Sequence, residues 1–293
     1  MTKRGKPSNG NDGTPLPSAQ LLEYFSAQLA ASRVDGGADA AQEIMFDAWE
    51  TEDPRKRAAM ARKALELSPD CADAYVLLAD ETAKTVEEAV ELYAKGVAAG
   101  ERALGPAAFV EDVGMFWGLL ETRPYMRARL GLAVTLWEAG RAEEAITHAG
   151  DMLRLNPNDN QGVRYIVLNW LQRAGRDAEA DSLLRRYKDD GGTEWAWSGA
   201  LAAFRRHGGA RAAARKALAR AIEANSHVAP YLLKRKRPPR RLPEYVDMGG
   251  KDEAAAYVDA TAATWGATPG ALEWLASTLD AAASEGRAAK PGK

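Results

Sequence analysis

One cysteine, three histidines and five phenylalanines in 293 residues are scarce material for several kinds of chemistry. The single thiol, Cys71, excludes an intrachain disulfide framework and agrees with a reducing compartment. His148, His207 and His227 stand far apart in sequence, with no second His or Cys at metal-ligand spacing, and read as surface or capping groups. No run of apolar residues approaches the roughly 18 needed for a membrane-spanning helix, and no apolar stretch follows the basic N-terminus as in a secretion signal. The expectation is a cytoplasmic protein. Its glycine pairs belong neither to a phosphate loop nor to a dinucleotide fingerprint. Nothing in the sequence calls for a cofactor or a metal, and an enzyme is not expected.

Alanine, by contrast, makes up about a fifth of the chain, and alternating β-branched runs are missing, so the chain is expected to be all-α. Residues 1–18 and 284–293 are rich in small and polar residues and are expected to be disordered tails. Between them a pattern recurs. Ala139-Gly140-Arg141-Ala142-Glu143-Glu144-Ala145 returns 35 residues later as Ala174-Gly175-Arg176-Asp177-Ala178-Glu179-Ala180, and a weaker copy begins at His207. An apolar-periodic segment flanks each glycine on both sides, so each unit is a helix hairpin turning at a left-handed glycine. Leu67-Ser68-Pro69-Asp70 and Leu155-Asn156-Pro157-Asn158 mark the junctions, because proline stops one helix and Asn or Ser starts the next. Such a unit resembles the tetratricopeptide repeat.

Registered on Pro157, the first complete copy puts Leu132, Ala133 and Leu136 opposite Ala145, Ala149 and Met152. The next sets Val167, Leu168 and Leu171 against Ala180, Leu184 and Tyr187, and the third sets Leu201, Ala202 and Phe204 against Ala214, Leu218 and Ala221. The organisation that follows is a solenoid of about five hairpins: N-terminal helices and two hairpins over 19–104, three repeats over 123–227, and a basic linker with a C-terminal helical cap over 228–283. Residues 105–122 contain Phe109, Met115, Phe116, Trp117, Leu119 and Leu120, too apolar for a linker, and are read as an inserted helix or lid.

Four stretches carry a narrower resemblance. Ser68-Pro69-Asp70-Cys71-Ala72-Asp73-Ala74-Tyr75-Val76-Leu77-Leu78-Ala79 is similar to the first repeat junction of the suppressor of tumorigenicity 7 family. Asn225-Ser226-His227-Val228-Ala229-Pro230-Tyr231-Leu232-Leu233, Asp252-Glu253-Ala254-Ala255-Ala256-Tyr257 and Pro269-Gly270-Ala271-Leu272-Glu273-Trp274-Leu275 resemble its C-terminal signature. The similarity runs over about 40–276. Ser226 stands where the family has proline, and the N-terminal membrane segments of the animal members are absent, so membrane association is not implied. The resemblance implies the helical-repeat fold and supplies no catalytic residues.

Function in such a solenoid is expected from its concave groove, lined by first helices. The groove candidates are Asp73, Val76, Asp80, Arg127, Leu130, Val134, Tyr165, Asn169, Arg173, Ala203 and Arg206, receiving a peptide or helix of a protein partner. The alternative rests on charge. Residues 205–241 hold twelve Lys or Arg and one acid, Glu223, a net +11 that leaves −13 on the rest. Arg211 and Arg215 on a hairpin, then Lys234, Arg235, Lys236, Arg237, Arg240 and Arg241 in a run, form a basic patch for nucleic acid or an acidic partner. Cys71 opens a predicted helix, where a dipole can favour thiolate, and is read as simply a small helix-start residue.

Overall fold

The computed structural model describes residues 36–239 and 247–288. Thirteen helices and no strand are present among them. In chain order they are α1 (Gly36–Glu50), α2 (Pro54–Leu67), α3 (Ala72–Thr82), α4 (Val86–Glu111), α5 (Arg123–Glu138), α6 (Ala142–Leu155), α7 (Val163–Arg173), α8 (Asp177–Arg186), α9 (Thr193–His207), α10 (Ala212–Ala224), α11 (Val228–Leu232), α12 (Lys251–Gly266) and α13 (Ala271–Ala288). The pairs α1/α2, α3/α4, α5/α6, α7/α8 and α9/α10 pack as antiparallel hairpins, giving a tetratricopeptide-like solenoid of five units.

The hairpin turns have the chemistry the repeat implies. Gly140 and Gly175 sit at φ 77° and 69°, a conformation that a Cβ disfavours. Each lets the next amide reach back, Arg141 to the Leu136 carbonyl at 2.9 Å and Arg176 to that of Leu171 at 2.8 Å, the six-to-one bond of a glycine C-cap. Upstream, the Asp53 carboxylate caps α2 through the Arg55 amide at 2.9 Å, with Pro54 at the first helical position. Thr85 caps α4 through the Glu88 amide while the Glu88 carboxylate accepts from the Lys84 amide.

Packing follows the sequence register. Leu132, Ala133, Leu136, Ala145, Ala149, Met152, Val167, Leu168, Leu171, Ala180, Leu201, Ala202, Ala214, Leu218 and Ala221 are all buried. Leu184, Tyr187 and Phe204 are only partly covered, and Leu183 takes the buried place beside Leu184. Alanines at the helix crossings let backbones approach, while Trp137 and Trp170 stack at 4.9 Å across α5 and α7.

Several expected boundaries move. The second helix of the α3/α4 hairpin does not end at Leu104: it bends at Gly105 (φ 72°), passes Pro106 and continues to Glu111. Residues 112–122 are turns rather than a helical lid. Phe116 is fully buried against Phe109 and Tyr125, and the Gly114 and Phe116 amides both donate to the Leu155 carbonyl, so the segment belongs to the core between hairpins. Its outer surface still carries exposed Val110, Met115 and Leu120. At the other end α13 runs to Ala288, past the expected start of the tail at Ser284. The expected tails at 1–18 and beyond Ala288, together with Arg240 and Arg241, lie outside the described residues.

The largest departure concerns the C-terminal helices. They do not merely close the end of the stack. α12 folds back along α7 and α9 and buries Tyr257 and Trp265 against Trp197, whose indole N–H donates to the Asn225 carbonyl at 3.1 Å.

Candidate functional site

The groove candidates divide into three groups. At the N-terminal end, Asp73 is fully buried rather than groove-facing. Its carboxylate accepts two hydrogen bonds from Arg127, at 2.8 and 2.6 Å, and one from Gln42 at 3.0 Å. A buried carboxylate needs such a partner, so Arg127 is committed to joining α5 to α3 before any ligand arrives. Val76 is buried beside it, and Asp80 bonds the Tyr93 hydroxyl.

In the middle of the groove the candidates remain available. Leu130 and Val134 are half-buried on α5, and Arg173 at the end of α7 is exposed. The Arg173 guanidinium lies 5.3 Å from the Trp137 ring centroid and has no acidic partner among the described residues. Trp137, which the register did not single out, thereby joins the face; its spacing of three from Val134 on α5 was the available signal.

At the C-terminal end the groove is filled by the chain itself. The Asn169 side-chain amide donates to the Ala260 carbonyl of α12 at 2.9 Å and accepts from Thr264 at 3.2 Å, so Asn169 holds α12 and is not free for a partner. Tyr165, one turn earlier, donates to Asp190 at 2.8 Å and packs edge-on against Trp195. Burial and the Asp190 charge push its hydroxyl up to about 12. Arg206 forms an ion pair with Asp181 of α8, which corrects its assignment to the groove. Ala203, partly buried, packs against the core formed with α12.

The basic segment is partly neutralised within the fold. Arg205 bonds Thr268, the Gln172 carbonyl and Asp177; Arg235 makes a two-fold contact to Asp280 at 2.8 and 3.0 Å, so it is not a free member of the run. Arg211, Arg215, Lys234, Lys236 and Arg237 are exposed and have no ion pair among the described residues.

Burial pushes the Cys71 thiol up to about 11, against the backbone hydrogen bonds that would lower it, as suits a small buried residue at a helix start. His148 has its pKa lowered by burial, helped by Arg129, and its Nδ1 lacks a partner among the described residues. His227 contributes a backbone amide to the Asn225 side chain at 3.0 Å rather than an imidazole. No group of three or more His, Cys, Asp or Glu side chains is placed to hold a metal among the described residues. No helix among them is long and apolar enough to cross a membrane.

Asn225 has a clear structural role. The buried Asn225 amide donates to Thr193 Oγ1 at 3.0 Å and to the Gly250 carbonyl at 2.9 Å. One side chain thus ties the end of α10 to the starts of α9 and α12.

Comparison with known proteins places this architecture. The family described as ST7 protein matches residues 27–189. The Protein ST7 homolog of Drosophila pseudoobscura pseudoobscura is 26% identical over 90% of this chain and 54% of its own length. The suppressor of tumorigenicity 7 protein-like protein of Danio rerio is 30% identical over 81% of this chain and 44% of its own length, and the suppressor of tumorigenicity 7 protein of Macaca fascicularis is 28% identical over 82% and 53%. The chain spans about half the length of these curated relatives. Among solved structures, YrrB, a TPR protein with an unusual peptide-binding site, superposes with a TM-score of 0.44 at 18% identity, covering 68% of this chain and 91% of its own. The match extends over more than half of the residues, from ahead of the first described helix through α8, and the chain belongs to the ST7 protein family.

Proposed function

We propose that the chain is a non-catalytic protein-interaction scaffold that receives a peptide or helix of a partner on the part of the groove formed by α3, α5 and α7. The observation that carries this reading is the stripe of half-buried Leu130, Val134 and Trp137 on α5, with the exposed Arg173 beside the Trp137 ring. It combines an apolar floor with a guanidinium that has no acidic partner among the described residues, and so fits a segment presenting an apolar anchor followed by an acidic residue or C-terminal carboxylate. A cytoplasmic setting and a protein partner belong to the same proposal.

The test is selection of binding peptides from a random displayed library against the purified chain, followed by affinity measurement on variants. Val134→Glu and Arg173→Glu are expected to weaken the selected peptides about tenfold or more, roughly 1.4 kcal/mol each. Equal affinity for the unaltered chain and both variants sinks the reading. Raising salt from about 50 to 200 mM should change peptide affinity little, whereas binding carried by six or more phosphate contacts would fall by about a thousandfold. An oligonucleotide bound more tightly than any peptide, and lost on neutralising Lys234, Lys236 and Arg237, would transfer the function to the basic segment.

A further inference from the structure

Glu194, in the first turn of α9, lines a cavity of about 310 Å³ together with Tyr165 of α7, Gly192, and Glu253, Ala256 and Tyr257 of α12. The cavity continues the α7/α12 seam one turn before the Asn169–Ala260 bond.

The carboxylates around it are not equivalent. Glu253 accepts from the Thr193 amide at 3.2 Å, the Thr193 hydroxyl at 2.6 Å and the Gly249 amide at 2.6 Å. Asp190 accepts from the Gly192 amide at 2.9 Å, from Arg164 at 2.9 Å and from Tyr165 at 2.8 Å. Both are therefore satisfied by helix N-termini and hydroxyls, as carboxylates at such ends usually are. Glu194 is different: largely buried, it receives one long contact, 3.5 Å from the Ser198 hydroxyl to Oε1, and Oε2 has no partner among the described residues. The charged groups facing it are Glu253 from α12 and Asp190 from the α8–α9 loop, both of its own sign; Arg164 is engaged by Asp159 and Asp190. Loss of water and these like charges push the Glu194 carboxyl up to about 8.

We propose that this cavity is a binding site for an organic cation, an alkylammonium or guanidinium group, which enters between the Tyr165 and Tyr257 side chains and pairs with the Glu194 carboxylate. The site supplies an open acceptor in Glu194 and two aromatic side chains; its one basic neighbour, Arg164, lies 4.3 Å over the Tyr165 ring and is held there by Asp159 and Asp190, leaving Glu194 without a cation. It does not depend on the peptide face formed by α3, α5 and α7. Because a cation pairs with the ionised carboxylate, binding releases a proton and tightens as pH rises through the Glu194 titration.

Calorimetric titration with n-butylguanidinium, which stays charged throughout the range, tests this at pH 6.5 and 9.0, with n-butanol as the uncharged control. Binding should be about thirtyfold tighter at pH 9.0, be absent for n-butanol, and fall about tenfold or more in Glu194→Gln. Ala256→Leu, which fills the cavity from α12 without changing charge, should abolish it. A second arm uses the peptide acetyl-Ala-Ala-Arg-Ala-Ala-amide. Binding of both probes identifies a partner's side chain as the ligand, while binding of the free cation alone identifies a small molecule. No binding of either probe, equal binding of n-butanol, or unchanged affinity in Glu194→Gln overturns the site. Should the variants fail to fold, the carboxyl carbon resonance of Glu194 in the unaltered protein decides. Its titration should drop by at least about one pH unit with saturating n-butylguanidinium, and an unmoved titration overturns the proposal.

Discussion

Asp73 and Glu194 show how two buried carboxylates come to opposite roles. Asp73 has three hydrogen bonds and a guanidinium, and it locks α3 to α5 and α1. Removing it in Asp73→Ala strands Arg127 and Gln42, and should cost about 3 kcal/mol by denaturant unfolding. Replacing both partners, Asp73→Ala with Arg127→Met, should recover part of that loss. Glu194 lacks such support, and its raised pKa has a definite sign. The neutral acid is favoured in the folded state, so this contribution to stability is complete below about pH 4.5 and disappears as pH rises through about 8. Unfolding midpoints compared at pH 5, 7 and 9 should fall more steeply for the unaltered chain than for Glu194→Gln. Asp151 and Asp190, whose pKa values are lowered, act in the opposite direction and lose their contribution as pH falls through the acid range, so the Glu194 effect belongs to neutral and alkaline pH.

At the scale of elements, the hairpin turns depend on Gly140 and Gly175. Either one changed to Ala should destabilise by about 1 kcal/mol, read as a lower melting temperature without loss of helix content. Asn225 works across elements. In Asn225→Ala the buried Thr193 hydroxyl, the Gly250 carbonyl and the His227 amide each lose a partner. A cost of about 2–3 kcal/mol is expected, with hydrogen exchange accelerated first in α12. The hairpins were legible in the sequence because their signals are local: a glycine at the α5/α6, α7/α8 and α9/α10 turns, a proline at the α2/α3 and α6/α7 junctions, and alanines at helical spacing. Residues 105–122 were legible only as apolar. The bonds of Gly114 and Phe116 to the Leu155 carbonyl link positions about forty apart, and no periodicity encodes them. Asn169 was misplaced for the same reason. Its spacing on α7 is that of a groove residue, but its partner lies 91 positions away on α12.

Across the whole molecule, α12 and α13 are part of the core, since Trp197 and Trp265 are both fully buried where α9 meets α12. Trp265→Ala should therefore cost about 3–5 kcal/mol, and the loss should be felt across the α7 to α10 repeats rather than at the C-terminus alone. Selective loss of α12 with α7–α10 intact, seen by hydrogen exchange, would contradict this integration. The same helix also acts as a ruler. With α12 held against α7 at Asn169 and packed on α9 at Trp197, the proposed groove crosses only from α3 through α5 to the Arg173 end of α7. Two helix-to-helix steps of about 8–10 Å make a track some 16–20 Å long. Extended chain advances about 3.3 Å per residue and helix about 1.5 Å, so the track measures out five or six residues of one or about twelve of the other. Under the proposed function a recognition motif for this face is short, and lengthening a bound peptide past that span should leave its affinity flat.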